Sequence, residues 1–215
     1  MKFKALILCL LGVTLSLTGC MSMPISTMYK MSQLSILGIS PDEIKVAIRT
    51  NELIEVQNGA AHIRLATKTD GVVGESENGV EGQQLPPFDN VYNFHTQVLS
   101  GSESDISSIL LEGIEDGEGI TILKLSNEDA ATMGDALARV KSYKAKGAKV
   151  TGGFSIGTSN GCFGNIEKFD ELEVDLFLQT DVEDGFVLFL EDIDVIEEMR
   201  NRNVELDTSN KCQAN

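Results

Sequence analysis

The chain of 215 residues carries 33 Asp and Glu against 17 Lys and Arg, a formal net charge of −16. That balance argues against nucleic acid as a partner, because a grip on phosphates relies on clustered bases, and against adhesion of the protein surface to anionic lipid. With no Trp and only Tyr29, Tyr92 and Tyr143, there is little material for an aromatic sugar platform.

The first twenty residues, MKFKALILCLLGVTLSLTGC, start with Lys2 and Lys4 and continue in an apolar run from Ala5 to Leu17. The run is too short to span a hydrocarbon core, which takes about 20 helical residues, so it reads as a secretion signal. Its ending, Leu17-Thr18-Gly19-Cys20, resembles the lipobox of bacterial lipoproteins. The resemblance implies cleavage before Cys20 and a diacylglycerol on its thiol. Met21 and Ser22, in place of an aspartate, imply the outer membrane. Removing residues 1–19 takes away two bases and no acid, leaving 196 residues and a net charge near −18. That length can bury a core as one domain. Residues 1–19 are thus the expected signal peptide, 20–40 a lipidated N-terminal segment, and 41–215 a single periplasmic domain.

With Cys9 lost and Cys20 lipidated, Cys162 and Cys212 remain. In an oxidising envelope the expectation is a disulfide between them, closing a 50-residue loop for roughly 4 kcal/mol on the chain-entropy model, as an upper figure. A metal pair is the alternative, but neither cysteine has a ligand-spaced neighbour.

Met28, Met31 and Leu34 at helical spacing predict a short helix leading from the anchor, ended by Ser40-Pro41. Ile44, Val46 and Ile48 alternate with Lys45, Ala47 and Arg49, the signature of a half-buried strand. A turn at Asn58-Gly59 leads to a second strand around His62–Leu65. Residues 67–90 are glycine-rich with a Pro-Pro pair and form a long loop, either a binding loop or a solvated excursion. Strands follow at 91–99 and 120–126, separated by an acidic stretch with no assignable period. The segment SNEDAATMGDALARVKSYKAKG (126–147) predicts the main helix, about 127–146. It has a cap at Ser126 or Asn127, acids in its first turn, lysines in its last and Gly147 to close it. Met133, Leu137, Val140 and Tyr143 mark its inner stripe, and Gly134 would let a neighbour approach. A strand at 149–156 and a hairpin of 172–179 with 185–190 come next, then a short helix turning Ile193, Ile196 and Met199 inward. Adjacent strands with one large helix make an α+β domain of mostly antiparallel sheet, a sandwich being one form it can take.

Three blocks, 26–50, 123–147 and 177–195, resemble a group of uncharacterised proteobacterial lipoproteins. Together they cover about a third of the chain, and the resemblance implies no activity.

Gly157-Thr158-Ser159-Asn160-Gly161 spells G-x-S-x-G, the nucleophile elbow of serine hydrolases. An elbow needs a helix after the serine and a histidine downstream. Here Gly164 and Asn165 interrupt, and His62 and His95 both lie upstream. Another chain order would require one of them to meet Ser159 beside an acid. The residues read equally as a turn beside a disulfide foot. The two histidines, without cysteine or aspartate close in sequence, make a poor zinc site. Between Glu167 and Asp207 there are fifteen acids and three bases, which offers oxygen for Ca²⁺ at the hairpin end, although no EF-hand spacing occurs. No catalytic residue, metal ligand or cofactor is therefore assigned. The sequence reads as a non-enzymatic, membrane-anchored lipoprotein whose periplasmic domain binds another envelope component, its acidic surface favouring a basic partner. A small-ligand or Ca²⁺-binding module is the alternative, and a serine hydrolase the remote one.

Overall fold

The computed structural model describes residues 36–73, 84–99, 107–158, 162–201 and 212. Cys20 and Ser159, and the predicted helix carrying Met28 and Met31, lie outside these residues. Among these described residues there are nine strands: β1 (Lys45–Asn51), β2 (Glu55–Val56), β3 (Ala61–Thr69), β4 (Phe88–Val98), β5 (Glu118–Leu125), β6 (Thr151–Thr158), β7 (Phe163–Gly164), β8 (Glu173–Gln179) and β9 (Val187–Asp194). Three helices accompany them: α1 (Ser108–Leu111), α2 (Asn127–Ala145) and α3 (Val195–Asn201). Seven strands form one curled antiparallel sheet in the order β6-β3-β4-β5-β1-β8-β9, and β2 with β7 makes a two-stranded ribbon. The fold is thus α+β, mostly antiparallel sheet, with one main helix.

That helix forms where its caps predict. Ser126 Oγ accepts from the Asp129 amide at 3.0 Å, Glu128 and Asp129 occupy the positive first turn, and Gly147 follows the last turn at φ 85°, where a glycine carries no steric penalty. Ala130, Met133, Ala136, Leu137 and Val140 are buried. The first four meet one core built from inward residues of both halves of the sheet, including Ile63, Leu65 and Phe94 on one side and Val46, Ile48, Leu176 and Phe189 on the other. Tyr143 is half-buried, its hydroxyl donating to Pro86 O at 3.0 Å, its ring edge-on to Phe88. Gly134 differs from expectation. A Cβ there would meet nothing within 4 Å, so it admits no close neighbour.

Strand β1 also departs from its half-buried reading. Its five middle residues are all buried, because α1 and the segment before β9 cover the outer face: Ala47, Leu110, Ile122, Phe177 and Phe186 form a second, smaller core. Arg49 therefore lies inside. Asp175 answers its charge, accepting from Nε at 3.0 Å and Nη2 at 2.6 Å. Nη1 donates to Glu112 O at 2.6 Å, and the guanidinium sits 5.3 Å from the Phe177 ring centroid. A buried guanidinium is tolerated only with this degree of pairing.

Candidate functional site

Two places combine concavity with charge, and a third gathers residues that the sequence raises as candidates. The third lies around the end of β6. Antiparallel register sets His62 of β3 directly opposite His95 of β4 and, on its other side, opposite Gly157 of β6. His62 is half-buried and His95 exposed. The His62 ring lies over Gly157 so closely that a Cβ there would come within 2.9 Å of its Cε1. Two histidines 33 positions apart in the sequence are thus neighbours beside the strand that enters the G-x-S-x-G segment. Among the described residues of these strands, the cross-strand partners of His62 and His95 are not carboxylates. The acid on the same face of β4, Asp89, lies six positions from His95 and is bound to Lys68 at 2.5 Å.

On the other side of Gly59 sits Cys162. Gly59 turns at φ 81°, and a Cβ on it would lie 3.6 Å from Cys162 Sγ and 4.0 Å from His95 Nδ1. Cys162 is buried in the main core and Cys212 packs against that core. No disulfide joins them here, and they are hydrogen-bonded neighbours. Burial above all, then the hydrogen bond and charge of Cys212, push the Cys162 thiol up to about 12. A thiol so disposed is a weak nucleophile near neutral pH.

The acidic concavity opens at one end of the sheet. Its walls are the end of β1, the turn that leads into β5 and the segment that leads into β8. It holds about 340 Å³ and is lined by Glu115, Asp116, Glu118, Glu171 and Glu173, with Phe169 as an apolar wall. Gly117 at φ 88° makes the turn, Glu52 N donates to Gly117 O at 2.8 Å, and Glu118 Oε2 accepts from the Glu115 amide at 2.8 Å. The carboxyl of Glu173 is raised above its ordinary value, by desolvation first and then by Asp192, Glu171, Asp175 and Asp194. Crowded like charges of this kind favour whatever positive group reaches them. The acidic end of the β8–β9 hairpin behaves differently: Asp181 Oδ1 accepts from Glu183 N at 2.7 Å, closing its own turn. Among the described residues no three His, Cys, Asp or Glu side chains gather to hold a metal ion, and no described helix is long and apolar enough to cross a membrane.

A second concavity of about 350 Å³ runs between α2 and the β3–β6 end of the sheet, with Leu65, Leu137, Val140 and Val150 among its walls. It is mainly apolar, with Lys144 at its border.

Neither histidine carries a sequence signal for its pairing, since it depends on the β3–β4 register. The acidic cavity likewise joins residues from three segments, and only the density of acids after Glu167 hinted at it. Comparison with protein-family models, with curated proteins and with solved structures yields no match.

Proposed function

We propose that the chain is a non-enzymatic lipoprotein, anchored in the outer membrane through a lipid on Cys20, whose periplasmic domain binds a basic component of the envelope. The anchor rests on the LTGC ending of an apolar leader. The observation that carries the binding reading is the cavity of five carboxylates at the end of β1, in which Glu173 is already crowded by like charge. Arg49, the guanidinium behind it, is engaged with Asp175 at 2.6 Å and with Glu118 at 3.8 Å, so it leaves most of the cavity's negative charge to an incoming group. We read the curled sheet as sandwich-like, its two halves sharing one core while its end stays open to a partner.

The test is crosslinking in cells that carry the tagged protein, beside a tagged unrelated lipoprotein. A specific partner should copurify, and it should be lost from a Glu115→Lys, Asp116→Lys, Glu171→Lys protein but kept by Asp135→Lys on the exposed face of α2. Recovery of only those proteins that the control also brings down would defeat the reading. The same cavity supports a second reading, attraction of a small organic cation by charge alone, since among the described residues no three carboxylates gather around a metal position. It predicts a rise in melting temperature on titration with a polyamine, absent from the triple-lysine protein.

A further inference from the structure

The sheet has two edges, β6 and β9. Among the described residues β6 pairs on one side only, with β3, in an unbroken ladder from Ala61↔Thr158 to Lys68↔Thr151. Its sequence, TGGFSIGT, contains no charge and no proline, and three of its eight residues are glycine. Natural edge strands are usually guarded by charges, prolines or bulges, because their free N–H and C=O groups template another strand. Glycine within a strand marks a place where another backbone can come close.

The second element is what borders this edge. The apolar groove between β6 and α2 opens beside Gly152, whose missing side chain is enforced: a Cβ would stand 2.6 Å from Ala66 O. Leu65, Leu137, Val140 and Val150 line it and Lys144 stands at its border. A strand added to an edge presents every second side chain to one face, so its inward residues would enter this groove.

The third is charge. From Ala136 to Ile166 the chain has Arg139, Lys141, Lys144, Lys146 and Lys149 and no acid at all, within a protein of net charge −16. This segment contains the end of α2 and the whole of β6.

We infer that β6 is a docking strand, to whose free edge an extended segment of another envelope protein adds, its inward residues apolar where they fill the groove and acidic where they reach Lys144 at its border. Main-chain hydrogen bonds supply the attachment and the groove supplies selectivity, the division of labour in β-strand addition. The inference stands on observations separate from those of the acidic cavity, and its partner has the opposite charge.

The experiment uses the full mature protein in detergent and a synthetic acidic peptide alternating Val with Thr and closed by two Glu, beside its basic counterpart closed by two Lys. The acidic peptide should slow hydrogen exchange at every second amide of Thr151–Thr158, and the basic one should not. Gly153→Asp puts a carboxylate on the edge where a Cβ meets nothing within 4 Å, so the fold should be kept while affinity for the acidic peptide falls at least tenfold. Lys144→Glu should weaken it as well. The triple-lysine cavity variant should bind the peptide as the parent does, which separates failure here from failure of the cavity reading. Undiminished binding by Gly153→Asp, protection elsewhere, or equal binding of the basic peptide would overturn the inference. So would β6 amides already protected without peptide, in a dimer (a second copy on the edge) or in a monomer (the chain's own segment on it).

Discussion

The two edges of the seven-stranded sheet are built to opposite rules. Strand β9 carries Glu191, Asp192 and Asp194, and its pairing with β8 shifts register twice, from Val174↔Ile193 to Leu176↔Leu190 and then Phe177↔Leu188. The extra residues fall on β9, which is therefore bulged as well as charged, and Asp192 there takes φ 55°. Strand β6 has neither charge nor bulge. The contrast teaches that guarding an edge takes internal structure. Asp175 holds Arg49 with Oδ2 and accepts the Asp192 amide with Oδ1 at 2.9 Å, so the bulge hangs from a buried ion pair. Asp194 caps α3 through the amides of Ile196 and Glu197 at 2.9 and 3.1 Å. Among the described residues nothing comparable is attached to β6.

The largest way to break the guarded edge is Asp175→Ala. It leaves a buried guanidinium unpaired and removes the anchor of the bulge, and should cost about 3–5 kcal/mol by denaturant unfolding. A loss under 1 kcal/mol would mean that water or Glu118 takes over the charge, and that the bulge holds without its anchor. Next in size is the cysteine pair just past β6. Oxidised protein, with Cys162 and Cys212 joined, should gain up to about 4 kcal/mol over reduced protein, and Cys212→Ser should lose all dependence on reductant. Because burial holds the Cys162 thiol so high, oxidation of folded protein should be slow near neutral pH. Two free thiols by mass spectrometry in protein taken from the periplasm would remove the bridge.

On β6 itself, two adjacent glycines should answer differently. Gly152→Ala forces a Cβ against the Ala66 carbonyl and should destabilise by about 1–3 kcal/mol, as overpacking does. Gly153→Ala meets open space and should be neutral or stabilising by up to about 1 kcal/mol. Equal losses would mean that the strand is held by something other than its ladder with β3. The smallest effect concerns pH. A carboxyl raised in the folded state, as in Glu173, penalises the fold while ionised. The penalty is present at neutral pH and is relieved as pH falls through the folded pKa. Glu173→Gln should therefore flatten a slight rise in melting temperature on mild acidification, while the same change at exposed Glu128 should not.

Much of this architecture was legible in the sequence because its signals are local. Helix α2 announces itself through Ser126, its first-turn acids and Gly147, and β1 and β3 through alternation. What stayed hidden depends on distant partners. The β2–β7 ribbon has two residues a side, and α1 a single turn, too short for any period. Arg49 looks like the polar side of a half-buried strand until α1 covers it. The meeting of His62 with His95 needs the register of β3 on β4, and that TGGFSIGT is an edge needs the whole strand order. The lipid anchor, the disulfide and any chemistry at Ser159 rest on the sequence as before, since Cys20 and Ser159 lie outside the described residues and the thiols are unbridged.

Leu37, near the start of the described fold, is one wall of the groove beside β6. With a lipid on Cys20 as proposed, residues 21–35 join bilayer and domain, and at no more than about 3.3–3.6 Å per residue the two can be separated by at most roughly 50–54 Å. The docking strand would then sweep a thin shell above one membrane rather than the full periplasm. For a partner held in that same membrane, such confinement acts as an effective concentration. An edge that binds weakly in a test tube could be well occupied there.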